Sequence, residues 1–205
     1  MNFFRELMQK PWLDAGGETD PAPGNDIAVV PKATLGLRII MLVATVLFSL
    51  FIISYSDRMV FSDWKAMPEP WLLWPNTLML VFGSAALHWA TVSARRGRAD
   101  DARIGLLTGG GFSLAFLFGQ VLVWQELIGL GYFAASNAAN AFFYVLTALH
   151  GLHVLGGLFA LGRALVKMYR GTALEDMRQS IDLCAIYWHF LFVVWLVLFG
   201  LLLFT

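Results

Sequence analysis

Eight side chains in this sequence are of a type and spacing that could do chemistry. They are Asn76, Gln120, His150, His153, Arg163, Trp188, His189 and Trp195, with His88, Glu126 and Asp182 beside them. His150 and His153 stand three apart and so share a helix face. That spacing could serve a metal, but no carboxylate or thiol lies close by to supply the third protein ligand that a catalytic site generally wants. Interhelical hydrogen bonding or lipid contact accounts for the pair better. His88 and His189 could in principle hold a haem between two facing helices. The single cysteine rules out a disulfide framework and any site needing two thiolates.

These residues are set in an apolar chain. Of its 205 residues, 59% are apolar and only 14% are charged, against about 25% in soluble domains. Mean hydropathy is +0.68. A soluble domain of this size has no interior large enough to hide that excess, so the composition points to an integral membrane protein. The 14 basic residues balance the 14 acidic ones, which gives no reason to expect a nucleic-acid partner.

A membrane-crossing helix needs about 20 apolar residues. Five stretches qualify, near 35–55, 71–94, 104–128, 138–165 and 181–204. Backbone groups in lipid must bond within their own segment, so these runs are helices. The short alternating segments of a membrane barrel are missing. The expected fold class is therefore all-α, an integral membrane bundle of five helices over residues 34–205. Residues 1–33 differ: they hold four of the seven prolines and the stretch DAGGETDPAPGND. They read as a mobile cytoplasmic tail rather than a secretory leader, in which Phe3, Phe4, Leu7 and Met8 could form one interfacial turn.

Orientation follows from the bases. Arg5, Lys10, Lys32 and Arg38 precede the first span. Arg95, Arg96, Arg98 and Arg103 crowd the second loop, and Arg163, Lys167, Arg170 and Arg178 the fourth. Only Arg58 and Lys65 fall on the other side. The N-terminus is expected inside and the C-terminus outside.

Polar side chains at membrane depth usually face protein. At about 1.5 Å per residue, His88 and His189 sit roughly 10 Å above the inner boundary, and Gln120 and His150 about 25 Å above it. Interhelical polar contacts are expected at these two levels. Asp182 and His189 share one face of the last span, and Trp188 and Trp195 another. Glu126 lies near the outer end of the third span, within reach of interfacial water. Small residues let membrane helices approach closely. Gly105 with Gly109, then Gly111, Ala115 and Gly119, and in the next span Gly156 with Ala160, predict close packing of spans three and four.

The last two spans resemble subunit III of the haem-copper terminal oxidases, the cytochrome c oxidase family, in its short five-helix bacterial form. The segments that carry the resemblance are FYVLTALHGLHV, residues 143–154, and YWHFLFVVW, residues 187–195. WLLWPNT, at 71–77, is similar to the start of an earlier family helix, and Gln120 with Trp124 to a further family pattern. The similarity runs over roughly 35–205. There are departures: Val123 stands where the family has a membrane-embedded glutamate, Phe192 where it has an aspartate, and Ala148 where glycine is usual. No role for that glutamate is carried over.

The resemblance implies a non-redox accessory subunit of a multi-pass complex in the bacterial inner membrane. It implies haem and copper in partner subunits and no cofactor in this chain. It also implies packing on subunit I, with subunit II in the same complex, and bound phospholipids. The subunit would support proton uptake and turnover stability without being catalytic itself. His150, His153, Trp188, His189, Trp195, Asn76, Gln120 and Arg163 would then be structural or lipid-facing. A quinol oxidase or a nitric-oxide-reductase-associated homologue would share these motifs. A small transporter is the alternative from another class, and the sequence lacks the inverted repeat and broken helices that transporters show.

Overall fold

A computed structural model describes residues 31–62, 64 and 70–204. The tail 1–30, with Arg5 and Lys10, lies outside the described residues, as does Lys65. Five α-helices make up the described residues: α1 Lys32–Arg58, α2 Leu73–Arg95, α3 Ala99–Gly129, α4 Ala138–Tyr169 and α5 Leu174–Leu203. Among the described residues there is no strand. All five helices are long and apolar enough to cross a membrane.

Helices α3, α4 and α5 overrun the apolar stretches that announced them. At 31 residues, α3 is about 46 Å long, against about 30 Å of hydrocarbon. The overrun lies mostly at the basic end, where lipid no longer limits the chain but helical bonding still satisfies the backbone. Charges there complement the helix dipoles. Asp100 and Asp101 open α3 and Glu175 and Asp176 open α5, whereas Arg95 closes α2 and Lys167 closes α4.

Two tight turns close that end. The chain passes from α2 to α3 through Gly97 at φ +76° and from α4 to α5 through Gly171 at φ +80°. Both follow a helix C-terminus, where a left-handed residue ends the hydrogen-bond ladder and glycine takes that conformation without a Cβ clash. At the other end Asn137 caps α4, its side chain accepting from the Ala139 N–H at 3.4 Å.

Helix α3 presses closest on α2. A Cβ on Gly105 would lie 2.7 Å from the Ala90 Cβ, and one on Gly109 would lie 2.6 Å from the Leu87 Cγ. The small-residue stripe of the third span therefore seats chiefly the second span, a neighbour that the expected close packing of spans three and four did not name. Gly111 and Gly156 face open space, and Ala115 and Ala160 are exposed. Spans three and four still touch, through Gly110 against Leu161 and Gly151 against Leu117. Gly157 of α4 makes room for the Trp188 ring of α5, 2.8 Å from where its Cβ would stand. Helix α1 lies against α4 and α5 and buries only Ala44, Phe48 and Tyr55.

Candidate functional site

Inside the bundle, three tryptophans use their indole N–H groups in the same way. Trp188 of α5 donates to Ser113 Oγ of α3 at 2.7 Å. Trp195 of α5 donates to Thr77 Oγ1 of α2 at 2.9 Å. Trp124 of α3 donates to Thr147 Oγ1 of α4 at 3.1 Å. Each accepting hydroxyl in turn donates one turn back along its own helix: Ser113 to Gly109, Thr77 to Leu73 and Thr147 to Phe143, at 2.7–2.8 Å. An indole has a donor and no acceptor, while a hydroxyl has both. The relay leaves no proton of the pair unused. It also sets a large ring against a neighbouring helix by one directed bond, in a medium where hydrophobic association does not act.

The amide pair follows the same logic. Asn76 Nδ2 donates to Gln120 Oε1 at 3.1 Å, both side chains being buried. Gly119 lets Asn76 in, since a Cβ there would collide with Asn76 Oδ1. Gln120 Nε2 has no partner among the described residues.

Nearer the basic end, Ser84 Oγ and His189 Nδ1 share a hydrogen bond of 2.6 Å between α2 and α5, and the His88 ring lies 5.9 Å from the His189 ring. Arg95 and Asp182 form an ion pair at 3.2 Å below them. Asp182, His189 and Trp195 thus meet α2 at three successive heights. A polar contact between helices forms at the level of His88 and His189, through Ser84, and at the height expected for Gln120 and His150 only Gln120 makes one, with Asn76.

His150 departs from expectation. It is fully buried, but among the described residues neither ring nitrogen has a hydrogen-bond partner. It sits instead among rings, 5.1 Å from Trp195, 5.7 Å from Phe116 and 6.3 Å from Phe48. It therefore forms no interhelical hydrogen bond. His153 is half-buried and turns back on its own helix, with Nδ1 2.8 Å from the Leu149 carbonyl. The Phe48 ring lies against both histidines, 6.3 Å from His150 and 5.4 Å from His153, so they differ in hydrogen bonding and not in that neighbour, and no group of three His, Cys, Asp or Glu among the described residues could hold a metal ion.

Arg163 lies apart from these. It is exposed on α4, its guanidinium 5.9 Å over the Phe159 ring. With Lys167 it edges a groove of about 520 Å³ whose other walls include Leu37 and Ile40 of α1 and Cys184 and Tyr187 of α5. The two departures that replace a family carboxylate, Val123 and Phe192, sit in apolar surroundings. Val123 is wholly buried, and Phe192 packs on the same cluster around Phe116, Phe143 and Trp195.

Reasoning from sequence missed the hydroxyl partners: Thr77, Ser84, Ser113 and Thr147. A serine or threonine in a helix can bond its own backbone, and so carries no signal of a second partner. It also missed Trp124 as a donor, and Phe48 and Phe116 as the box around His150.

Comparison with known proteins bears on the same residues. The family model for cytochrome c oxidase subunit III matches residues 66–204, which spans α2 to α5 and leaves α1 outside. That is narrower than the 35–205 expected from the motifs. Cytochrome c oxidase subunit 3 of Thermostichus vulcanus is 34% identical over 128 residues, 62% of this chain and 62% of that protein. Probable cytochrome c oxidase subunit 3 of Mycobacterium tuberculosis (strain ATCC 25618 / H37Rv) is 31% identical over 130 residues, 63% of this chain and 64% of that protein. Cytochrome c oxidase subunit 3 of Synechocystis sp. is 32% identical over 150 residues, 69% of this chain and 62% of that protein. The chain thus spans less than two thirds of the length of these relatives. Five helices of membrane-crossing length and a family match over four of them identify a multi-pass membrane protein that belongs to the cytochrome c oxidase subunit III family.

Proposed function

We propose that this chain is the non-redox accessory subunit III of a bacterial haem-copper terminal oxidase. The haems and copper belong to its partners. It packs on subunit I, with subunit II in the same complex, and supports turnover stability and proton uptake without reacting itself. The observation that carries this reading is how the motif side chains are employed. Asn76, Gln120, Trp188 and Trp195 are engaged with residues of other helices, so they brace a scaffold and leave no convergent set of groups for a substrate.

Phospholipid binding belongs to the same proposal. The groove beside Arg163 and Lys167 is apolar along its length and cationic at one end, which suits an acyl chain under an anionic headgroup. The bases Arg95, Arg96, Arg98 and Arg103 on α2–α3, with Arg163, Lys167, Arg170 and Arg178 on α4–α5, gather at that end. By the positive-inside rule it faces the cytoplasm, with the N-terminal tail inside and the C-terminus outside the inner membrane.

The test is the native complex with His150→Ala and His153→Ala together. Activity should decay faster during turnover, or the subunit should be lost, with the haem spectra unchanged. Altered haem content in a complex that still retains this chain would overturn the reading, as would a reducible absorbance near the Soret region from the purified chain alone. The subunit inventory of the same preparation identifies the electron donor, because a subunit II with a dinuclear copper site implies cytochrome c.

A further inference from the structure

Of the four histidines, His150 is buried and His153 and His189 are half-buried, and only His88 is exposed. Among the described residues its ring has no hydrogen-bond partner, and the ring it lies nearest is that of His189, at 5.9 Å. Seven residues separate His88 from Arg95, so it lies about 10 Å inside the apolar part of the helix. An imidazole facing hydrocarbon there leaves an N–H and a lone pair unsatisfied, and polar groups at such depth face protein.

The residues around it have the spacing of a helix-packing seam. On α2, Val81, Ala85, His88 and Val92 follow steps of four, three and four, with Val81, Ala85 and His88 exposed and Val92 half-buried. On α5, Ile186, His189, Val193 and Leu196 follow steps of three, four and three, with Ile186, Val193 and Leu196 exposed and His189 half-buried. Steps of three and four keep one stripe of a helix toward a partner over several turns. Ala85, beside His88, is small enough for close approach. Helix α1 has an exposed stripe at the same spacing, Leu35, Ile39, Leu42 and Val46, and differs in the type of its residues. Its large exposed side chains, Leu35, Ile39, Ile40, Leu42, Val43 and Val46 among them, are aliphatic. No histidine, acid or base occurs between Arg38 and Asp57. That face suits lipid.

We infer that the α2–α5 face centred on His88 and Ala85 is where a transmembrane helix of a neighbouring oxidase subunit docks, presenting an acceptor oxygen to the His88 imidazole. The inference rests on the accessory-subunit reading above and specifies its contact face. The occupant is one helix because the exposed stripes flank a single seam, held at one height by His189–Ser84 and below by Arg95–Asp182. A lone acceptor oxygen on that helix is matched by the one N–H that a neutral imidazole offers.

The test uses the full oxidase complex with three variants of this chain. Ala85→Trp places a bulky ring in the seam, His88→Leu removes the polar contact, and Val43→Trp adds the same bulk to the 60% exposed Val43 of α1. Retention of this chain through detergent purification should fall by about tenfold for Ala85→Trp. It should fall less for His88→Leu and stay unchanged for Val43→Trp. A photo-crosslinking residue at position 85 should join this chain to a different oxidase subunit. Retention of Ala85→Trp at the wild-type level would overturn the inference, as would an adduct to a second copy of this chain or to lipid alone. Should the wild-type chain fail to co-purify with any oxidase, the accessory-subunit reading fails instead. Thermal unfolding of each variant chain in detergent keeps a folding defect from passing for a docking defect.

Discussion

Trp195 on α5 and Thr77 on α2 are 118 residues apart in sequence and 2.9 Å apart in space. Their bond fixes the height of the last helix against the second. The Trp195 ring it holds is in turn the wall for both Phe116, 4.8 Å away, and His150, 5.1 Å away. One indole therefore does two separable things, donating a hydrogen bond and filling space.

Substitution separates them. Trp195→Phe keeps most of the ring volume and loses the N–H, while Thr77 keeps its bond to Leu73. The expected loss is about 1 kcal/mol or less, as for single interhelical hydrogen bonds in membrane proteins. Trp195→Ala opens a cavity at the meeting point of α2, α3, α4 and α5 and should cost about 3–5 kcal/mol. Reversible unfolding in mixed detergent measures both. Equal losses would show that the hydrogen bond, and not the ring, holds the site.

The α2–α3 contact is steric. Gly105→Ala would bring a methyl group to 2.7 Å from the Ala90 Cβ and 2.9 Å from the Ala86 carbonyl oxygen, and backbone cannot yield as a side-chain tip can. The two helices must separate, and a loss of about 1–3 kcal/mol is expected. Gly111→Ala, on the open side of the same helix, should leave stability unchanged or slightly raised. Thermal midpoints of the two variants make the comparison, and equal midpoints would argue against close contact at Gly105.

Asn76 and Gln120 are joined by one hydrogen bond between buried side chains. Asn76→Leu leaves the Gln120 amide buried and wholly unbonded and should cost about 1–3 kcal/mol. Adding Gln120→Leu removes the orphan as well, so the double variant should be more stable than the first single one. A double-mutant cycle in detergent reads the sign directly, and strictly additive losses would mean the two amides do not interact.

His150 is enclosed by Trp195, Phe116 and Phe48, with no partner for either nitrogen among the described residues. His150→Phe should therefore be tolerated, with stability within about 1.5 kcal/mol of the parent, whereas His150→Ala leaves a void and should cost about twice as much or more. A His150→Phe chain as unstable as His150→Ala would point to a hydrogen bond made by the imidazole through bound water.

The architecture was legible because the bilayer enforces it. Apolar runs of about 20 residues have one backbone solution in lipid, and five runs became five helices. Helix ends were less legible: past the hydrocarbon boundary, residues such as Ala99–Asp101 and Leu174–Ser180 continue the helix without an apolar signature. Among site residues, depth arithmetic found the heights of His88, His189 and Gln120, since rise per residue is fixed. It did not find partners. Ser84, Ser113 and Thr77 look like any hydroxyl in a membrane helix until a second helix is set against them. His150 misled because a polar type at depth suggests a bond, while its surroundings offer only rings. Gly105 and Gly109 announced a close approach and not which neighbour would take it; that was decided by the tight turn at Gly97, which returns α3 directly along α2.

Guanidinium and ammonium groups collect at one end of four of these helices, and the turns there are too short to let those ends drift. Such a bundle cannot slide along the membrane normal. A shift one way drags Arg95, Arg163 and Lys167 into oil, and a shift the other way lifts Leu and Phe side chains of the far end, Leu203 and Phe204 among them, into water. The charged rim therefore acts as a depth gauge, setting the level at which every bond inside the bundle is offered to a neighbour.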